Sequence, residues 1–176
     1  YLITLSPTRT LNWRGRMKIY FCGSIRGGRE DVHVYQKITH KLKDYGSVLT
    51  EHVSDPELRE DGTVEGDRAI HDRDVDWLQQ SDVIVAEVTQ PSLGVGYELG
   101  RAVDMKKKIL CLFRPSSRRT LSAMIRGAAD GERFVVRDYS EDQVEQVLDE
   151  FFMSLRPPTL SWQPAYIWPG EALALL

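Results

Sequence analysis

Cysteine is scarce in this chain, with Cys22 and Cys111 the only two among 176 residues. Two thiols cannot build the multi-bridge framework that staples small secreted domains. Both lie inside apolar, strand-like runs and read as buried small hydrophobes in a reducing compartment. No apolar run approaches the roughly 20 residues that a membrane-spanning helix needs, and no secretory signal is seen. An excess of one charge is lacking too, since 23 basic residues face 26 acidic ones for a formal charge of -3. That balance sets up no global field to draw the chain to nucleic acid or an anionic membrane, so any anion must be held by a local constellation. Histidine is limited to His33, His40, His52 and His71. They show no metal-ligand spacing, and no metal is expected.

What the chain does have is two glycine-rich loops, Gly23-Ser24-Ile25-Arg26-Gly27-Gly28 and Pro91-Ser92-Leu93-Gly94-Val95-Gly96-Tyr97-Glu98. Each follows a short apolar run and precedes a helical pattern. Strand-like runs are 18–22, 47–53, 82–88, 108–114 and 133–139, and between them lie helical patterns. Near-continuous apolar runs such as Val83-Ile84-Val85-Ala86 fit strands buried on both faces. The alternation predicts right-handed βαβ units, an α/β fold with a doubly wound, five-stranded parallel sheet. In the flavodoxin-like order 2-1-3-4-5, both loops line the crevice where the winding reverses, which is where ligands sit in such sheets.

Tyr35, Ile38, Leu42 and Tyr45 recur at helical spacing, with Gly46 as the stop. The last helix opens on Ser140-Glu141-Asp142-Gln143, a capping-box pattern, and carries Val144, Val147, Leu148, Phe151 and Phe152 inward. A domain is expected over 17–155. Residues 1–16 are expected to be an extension outside the fold, and 156–176 a disordered tail with aromatics suited to docking on a partner. The polar stretch 54–66 reads as a long surface loop.

The loops differ in chemistry. The first offers backbone amides, Ser24 and Arg26, which suit a phosphate. The second delivers Glu98 into what reads as the first turn of a helix, where helix-start amides would lower its pKa and keep it ionised. Glutamate is common there for purely structural reasons. However, Gly94 and Gly96 would let a ligand approach the backbone closely. Neither loop is a dinucleotide fingerprint or a P-loop, because the spacings are wrong. In the helix of about 67–80, Asp74 falls within the stripe of Ile70, Trp77 and Leu78, whereas Asp72 and Asp76 project away. An inward aspartate is costly unless paired, with Arg73 or His71, or used in a site. His52 is a candidate to reach the crevice, with an ordinary packing role as the alternative.

The strings Tyr20 to Gly28, Leu49 to Val53, Val88 to Arg101 and Leu121 to Gly131 resemble the nucleoside 2-deoxyribosyltransferase-like family. Within it, they resemble the 2'-deoxynucleoside 5'-phosphate N-hydrolases. The resemblance runs from about Ile19 to Phe152. It implies cleavage of the N-glycosidic bond of deoxynucleoside 5'-monophosphates, with Glu98 as nucleophile, Asp74 handling the proton, and Tyr20 setting the nucleophile. It further implies phosphate and sugar contacts from Ser24, Arg26 and Ser92. Gly23, Ile25, Gly27, Gly94 and Gly96 of the two loops, with His52 as the crevice candidate, complete the expected substrate-binding set. Ser122, with Met124 nearby, would be supplied across a homodimer interface. No cofactor is implied, and cytoplasm and nucleus are the expected compartments. A transferase that passes the sugar to another base is the close rival, and a silent nucleotide-binding module is the distant one. Ser24, Arg26 and Ser122 favour the hydrolase because they suit a 5'-phosphate rather than a bare hydroxyl.

Overall fold

The computed structural model describes residues 17–57 and 66–155. The extensions expected at 1–16 and 156–176, and most of the loop expected at 54–66, lie outside these residues. Five parallel strands run in the order β2-β1-β3-β4-β5. They are β1 (Met17–Cys22), β2 (Gly46–Val48), β3 (Val83–Glu87), β4 (Lys108–Phe113) and β5 (Phe134–Asp138). The helices are α1 (Val32–Leu42), α2 (Asp67–Gln80), α3 (Leu93–Asp104), α4 (Ala123–Gly127) and α5 (Val144–Ser154). The doubly wound topology expected from the strand–helix alternation is therefore the one observed.

Alternation along the strands divides the core. Ile19, Phe21, Val83, Val85, Leu110 and Leu112 face α1 and α5, meeting Tyr35, Ile38, Leu148 and Phe152. Tyr20, Cys22, Ile84, Ala86, Ile109 and Cys111 face the other way, toward Leu78 of α2 and Val95, Leu99 and Ala102 of α3. Every residue of β3 is buried, as a central parallel strand covered on both faces requires. Cys22 and Cys111 are free and buried among these apolar groups.

Several local expectations are corrected. The second strand stops at Val48 rather than Val53, and residues Glu51–Ser54 form a 3-10 turn. Thr50 ends the strand: its hydroxyl accepts from Phe21 N and donates to Phe21 O, both at 2.7 Å. The side chain thus occupies the ladder positions that a next strand residue would use. Ser54, expected in the surface loop, is buried at the end of that turn and bonded to Thr39. Gly46 does not stop the first helix, which ends at Leu42. Instead it opens β2 where a Cβ would stand 2.0 Å from Met17 O, so close backbone approach demands glycine. Tyr45 is buried beyond the helix, stacked on Phe152 at 4.1 Å. The capping box at Ser140 does not form either, because its hydroxyl meets the Gln143 side chain at 2.9 Å and α5 begins only at Val144.

Candidate active site

Both glycine-rich loops leave the carboxyl ends of their strands, β1 and β3, which are adjacent in the sheet. This is the point where the winding reverses. Between them opens a cleft of about 580 Å³, floored by Tyr20 and Cys22 of β1. Gly23, Ile25, Arg26 and Gly27 form one wall and Ser92, Gly94, Tyr97 and Glu98 another, with Asp67, His71, Arg73 and Asp74 of α2 closing the side. His52 of the 3-10 turn also reaches the cleft, its ring 5.8 Å from that of Trp77.

Tyr20 donates to Glu98 Oε1 at 2.6 Å. Period-2 alternation puts Cys22 on the same face of β1 as Tyr20, so its thiol lines the cleft together with Glu98. Sequence reading treated Cys22 as core filler, although its i, i+2 relation to Tyr20 was visible. Burial, then the Glu98 charge, pushes the Tyr20 phenol far above its ordinary value, so it remains a donor. Burial and Glu98 likewise keep the Cys22 thiol protonated.

Glu98 is not in the first turn of its helix. With Ser92 as N-cap, whose hydroxyl accepts from Val95 N at 3.4 Å, no acidic residue lies in the first turn of α3. The helix-start field has faded there, and the expected lowering of the Glu98 pKa is reversed. Burial raises it from 4.5 to about 7; the Tyr20 hydrogen bond works against that rise and the Asp74 charge adds to it. If the ionised form is the reactive one, kcat/KM measured against pH should climb about tenfold per unit below about 7 and level off above it. A profile already flat at pH 5 would contradict this.

Asp74 lines the cleft, and its Oδ1 is also paired with Arg73 Nε at 3.0 Å; the two side chains are 22% and 24% exposed. The pairing and the site position therefore hold together. Asp72 and Asp76 point outward, as their phase predicted. Arg73 itself lies over the Trp77 ring at 4.9 Å.

The first loop is set more specifically than its composition suggested. Ser24 is fully buried and does not line the cleft: its N–H donates to the Tyr35 hydroxyl at 3.1 Å, and its Oγ has no hydrogen-bond partner among the described residues. Arg26 lines the cleft and pairs with Asp67 at 2.9 Å. A Cβ on Gly27 would lie 2.6 Å from Pro91 O, so the two loops touch where only glycine fits, and Gln90 donates to Gly27 O across the same junction. A Cβ on Gly94, on the cleft wall, would meet Ser92 Oγ at 3.8 Å, an ordinary contact, whereas Gly96 stands off the cleft.

Ser122 caps the short helix α4 without a side-chain bond, and neither it nor Met124, 81% exposed, borders the cleft. Sequence reading missed the bridge from His71 Nε2 to the Tyr97 hydroxyl, 2.9 Å, which links α2 to α3 at the cleft. Among the described residues, no group of three or more His, Cys, Asp and Glu stands close enough to hold a metal. None of the described helices is long and apolar enough to cross a membrane.

Residues 19–148 match the sequence pattern of the family described as nucleoside 2-deoxyribosyltransferase. The chain belongs to that family. Among its relatives, a 5-hydroxymethyl-dUMP N-hydrolase from Tetraodon nigroviridis is 70% identical over 138 residues, covering 77% of this chain and 97% of the relative. The protein of the same name from Homo sapiens is 58% identical over 164 residues, covering 90% and 94%. The solved structure of the Clostridium botulinum CMP N-glycosidase superposes with a TM-score of 0.57 at 19% identity, over 76% of this chain and 98% of that one. That likeness bears on the deoxyribosyltransferase-like fold alone.

Proposed function

We propose that this chain hydrolyses the N-glycosidic bond of 2'-deoxynucleoside 5'-monophosphates, releasing the nucleobase and 2-deoxyribose 5-phosphate. The observation that carries this reading is the Tyr20–Glu98 bond of 2.6 Å in a cleft whose opposite wall is a glycine-rich loop bearing Arg26. Mere nucleotide binding has no use for Glu98 and Asp74 beside an anionic ligand. The N-hydrolase names of the fish and human relatives support the same reaction. Their named substrate, 5-hydroxymethyl-dUMP, is proposed for this chain as well.

In the proposed mechanism Glu98 attacks C1' of the sugar. The C1'–N bond breaks, its electron pair leaves with the base, and the base takes up a proton that Asp74 relays from solvent. Water then attacks C1' of the deoxyribosyl ester and loses a proton through Asp74 to solvent, and the C1'–O bond electrons return to Glu98, as in retaining glycosidases. Oxocarbenium character at the sugar is stabilised by the adjacent carboxylate. The Tyr20 donor holds that carboxylate in one orientation.

The direct test is product analysis. Incubation with 5-hydroxymethyl-dUMP should yield free base and deoxyribose 5-phosphate in equal amounts, and an added second base should yield no exchanged nucleotide. Exchange in place of hydrolysis would make the chain a transferase.

A homodimer with shared sites completes the proposal. Leu93 at the start of α3 is 97% exposed and Met124 is 81% exposed, apolar groups that a second copy would cover. A two-fold pairing would bring Ser122 of each subunit to the other's phosphate site. Mixing inactive Glu98→Ala protein with inactive Ser122→Trp protein should restore about a quarter of the wild-type rate, because half the dimers would carry one intact site. No rescue after demonstrated subunit exchange would remove the shared site. Free, buried thiols suit the cytoplasm and nucleus, which are the compartments proposed.

A further inference from the structure

Tyr35 lies outside the cleft, yet its ring and hydroxyl are spent on the first glycine-rich loop. The side chain is fully buried in α1 and packs edge-to-face on Phe21 at 5.6 Å. Its hydroxyl accepts from Ser24 N at 3.1 Å. A Cβ on Gly23 would stand 2.9 Å from its ring, so loop and ring are in the closest contact that glycine permits. We propose that Tyr35 is a positioning residue: it fixes the path of the Gly23–Gly28 loop and thereby sets affinity for the 5'-phosphate without touching substrate. The proposal rests on the reading of that loop as the phosphate site.

The support beneath Tyr35 is rigid for stated reasons. Asp31 O accepts from Val34 N and Tyr35 N at 2.9 and 3.0 Å, which starts the helix. The Asp31 carboxylate is paired with Arg114, whose side chain also meets Glu141 and, at 3.7 Å, the buried Glu87. Arg114 N in turn donates to Thr89 Oγ1 at 2.9 Å, at the root of the second loop. A single buried arginine therefore anchors the helix that carries Tyr35 and the segment that leads to Ser92. Tyr35 transmits that anchoring to Ser24, two residues before Arg26.

Tyr35→Phe keeps the ring and removes only the acceptor. The expected result is a KM for the deoxynucleoside monophosphate raised about fivefold, the worth of one net hydrogen bond, with kcat little changed. The KM for the corresponding deoxynucleoside should stay at its wild-type value, and inhibition by inorganic phosphate should weaken by the same factor as monophosphate binding. A purely structural role would lower the melting temperature and affect both substrates alike. Tyr35→Met, which fills much of the same core volume without an acceptor, should show the same phosphate-selective effect and serves if Tyr35→Phe does not fold. Folded variants that keep the wild-type ratio of the two KM values would overturn the role of Tyr35. A wild-type enzyme that treats both substrates alike would overturn the phosphate reading itself, and the role of Tyr35 with it.

Discussion

Glu98→Gln should be inactive and more stable than the wild type. Glutamine retains an oxygen to accept from Tyr20 but cannot form the sugar ester, so turnover should fall by about 10⁴-fold or more, the scale seen when a catalytic nucleophile is removed. The stability change has the opposite sign. The unfolded chain ionises this carboxyl near 4.5 and the folded chain only near 7. Between those pH values the unfolded state loses its proton first, and the folded state loses stability until the pH passes about 7. At pH 8 the wild type therefore carries a desolvated charge that costs at most about 3 kcal/mol, and glutamine removes it. A melting temperature several degrees higher at pH 8, with no gain at pH 4, is the expected pattern. Trapping with a 2-fluoro deoxyribosyl donor should place the sugar on Glu98 of the wild type by mass spectrometry. A Glu98→Gln protein with near-normal turnover, or an adduct on another residue, would remove the assignment of Glu98 as nucleophile.

Removing the 5'-phosphate from the substrate should reduce kcat/KM by about 100-fold or more. That is the loss of two charge-assisted hydrogen bonds to Arg26 and the loop backbone. Part of the effect should appear in kcat, because binding energy from the remote phosphate holds C1' against Glu98. Arg26→Ala should lose most of this discrimination while leaving the rate on the deoxynucleoside almost unchanged. Arg26 is exposed and its pair with Asp67 lies at the surface, so its removal should cost little stability. Equal kcat/KM on both substrates would move the assignment toward transferases that act on bare nucleosides.

The βαβ units and the parallel sheet follow from local pattern, because apolar runs separated by helical stripes leave few ways to wind; the order that places the crevice between the two loops matches the flavodoxin-like fold implied by the family resemblance. Residue type and phase alone marked α2 with the observed bounds, the outward Asp72 and Asp76, and the presence of Asp74 on the cleft side. Other features depend on groups that are far apart in the chain. Strand β2 ends where Thr50 takes the ladder positions opposite Phe21, a pairing across 29 residues. Gly46 is needed because Met17 O passes over it. The ionisation of Glu98 was misjudged from its neighbours in sequence, because those neighbours report only the helix start. Its surroundings are Tyr20 and Cys22 from β1 and Asp74 from α2, and burial among them raises the pKa that helix amides were expected to lower. Ser24 likewise reads as a phosphate ligand by motif, while Tyr35 turns its amide into the core. Periodicity reports which face a residue occupies, and that was enough for the layers. Desolvation and hydrogen-bond direction belong to the assembled cleft, which is why the chemistry of Glu98 and the path of the phosphate loop emerged only there.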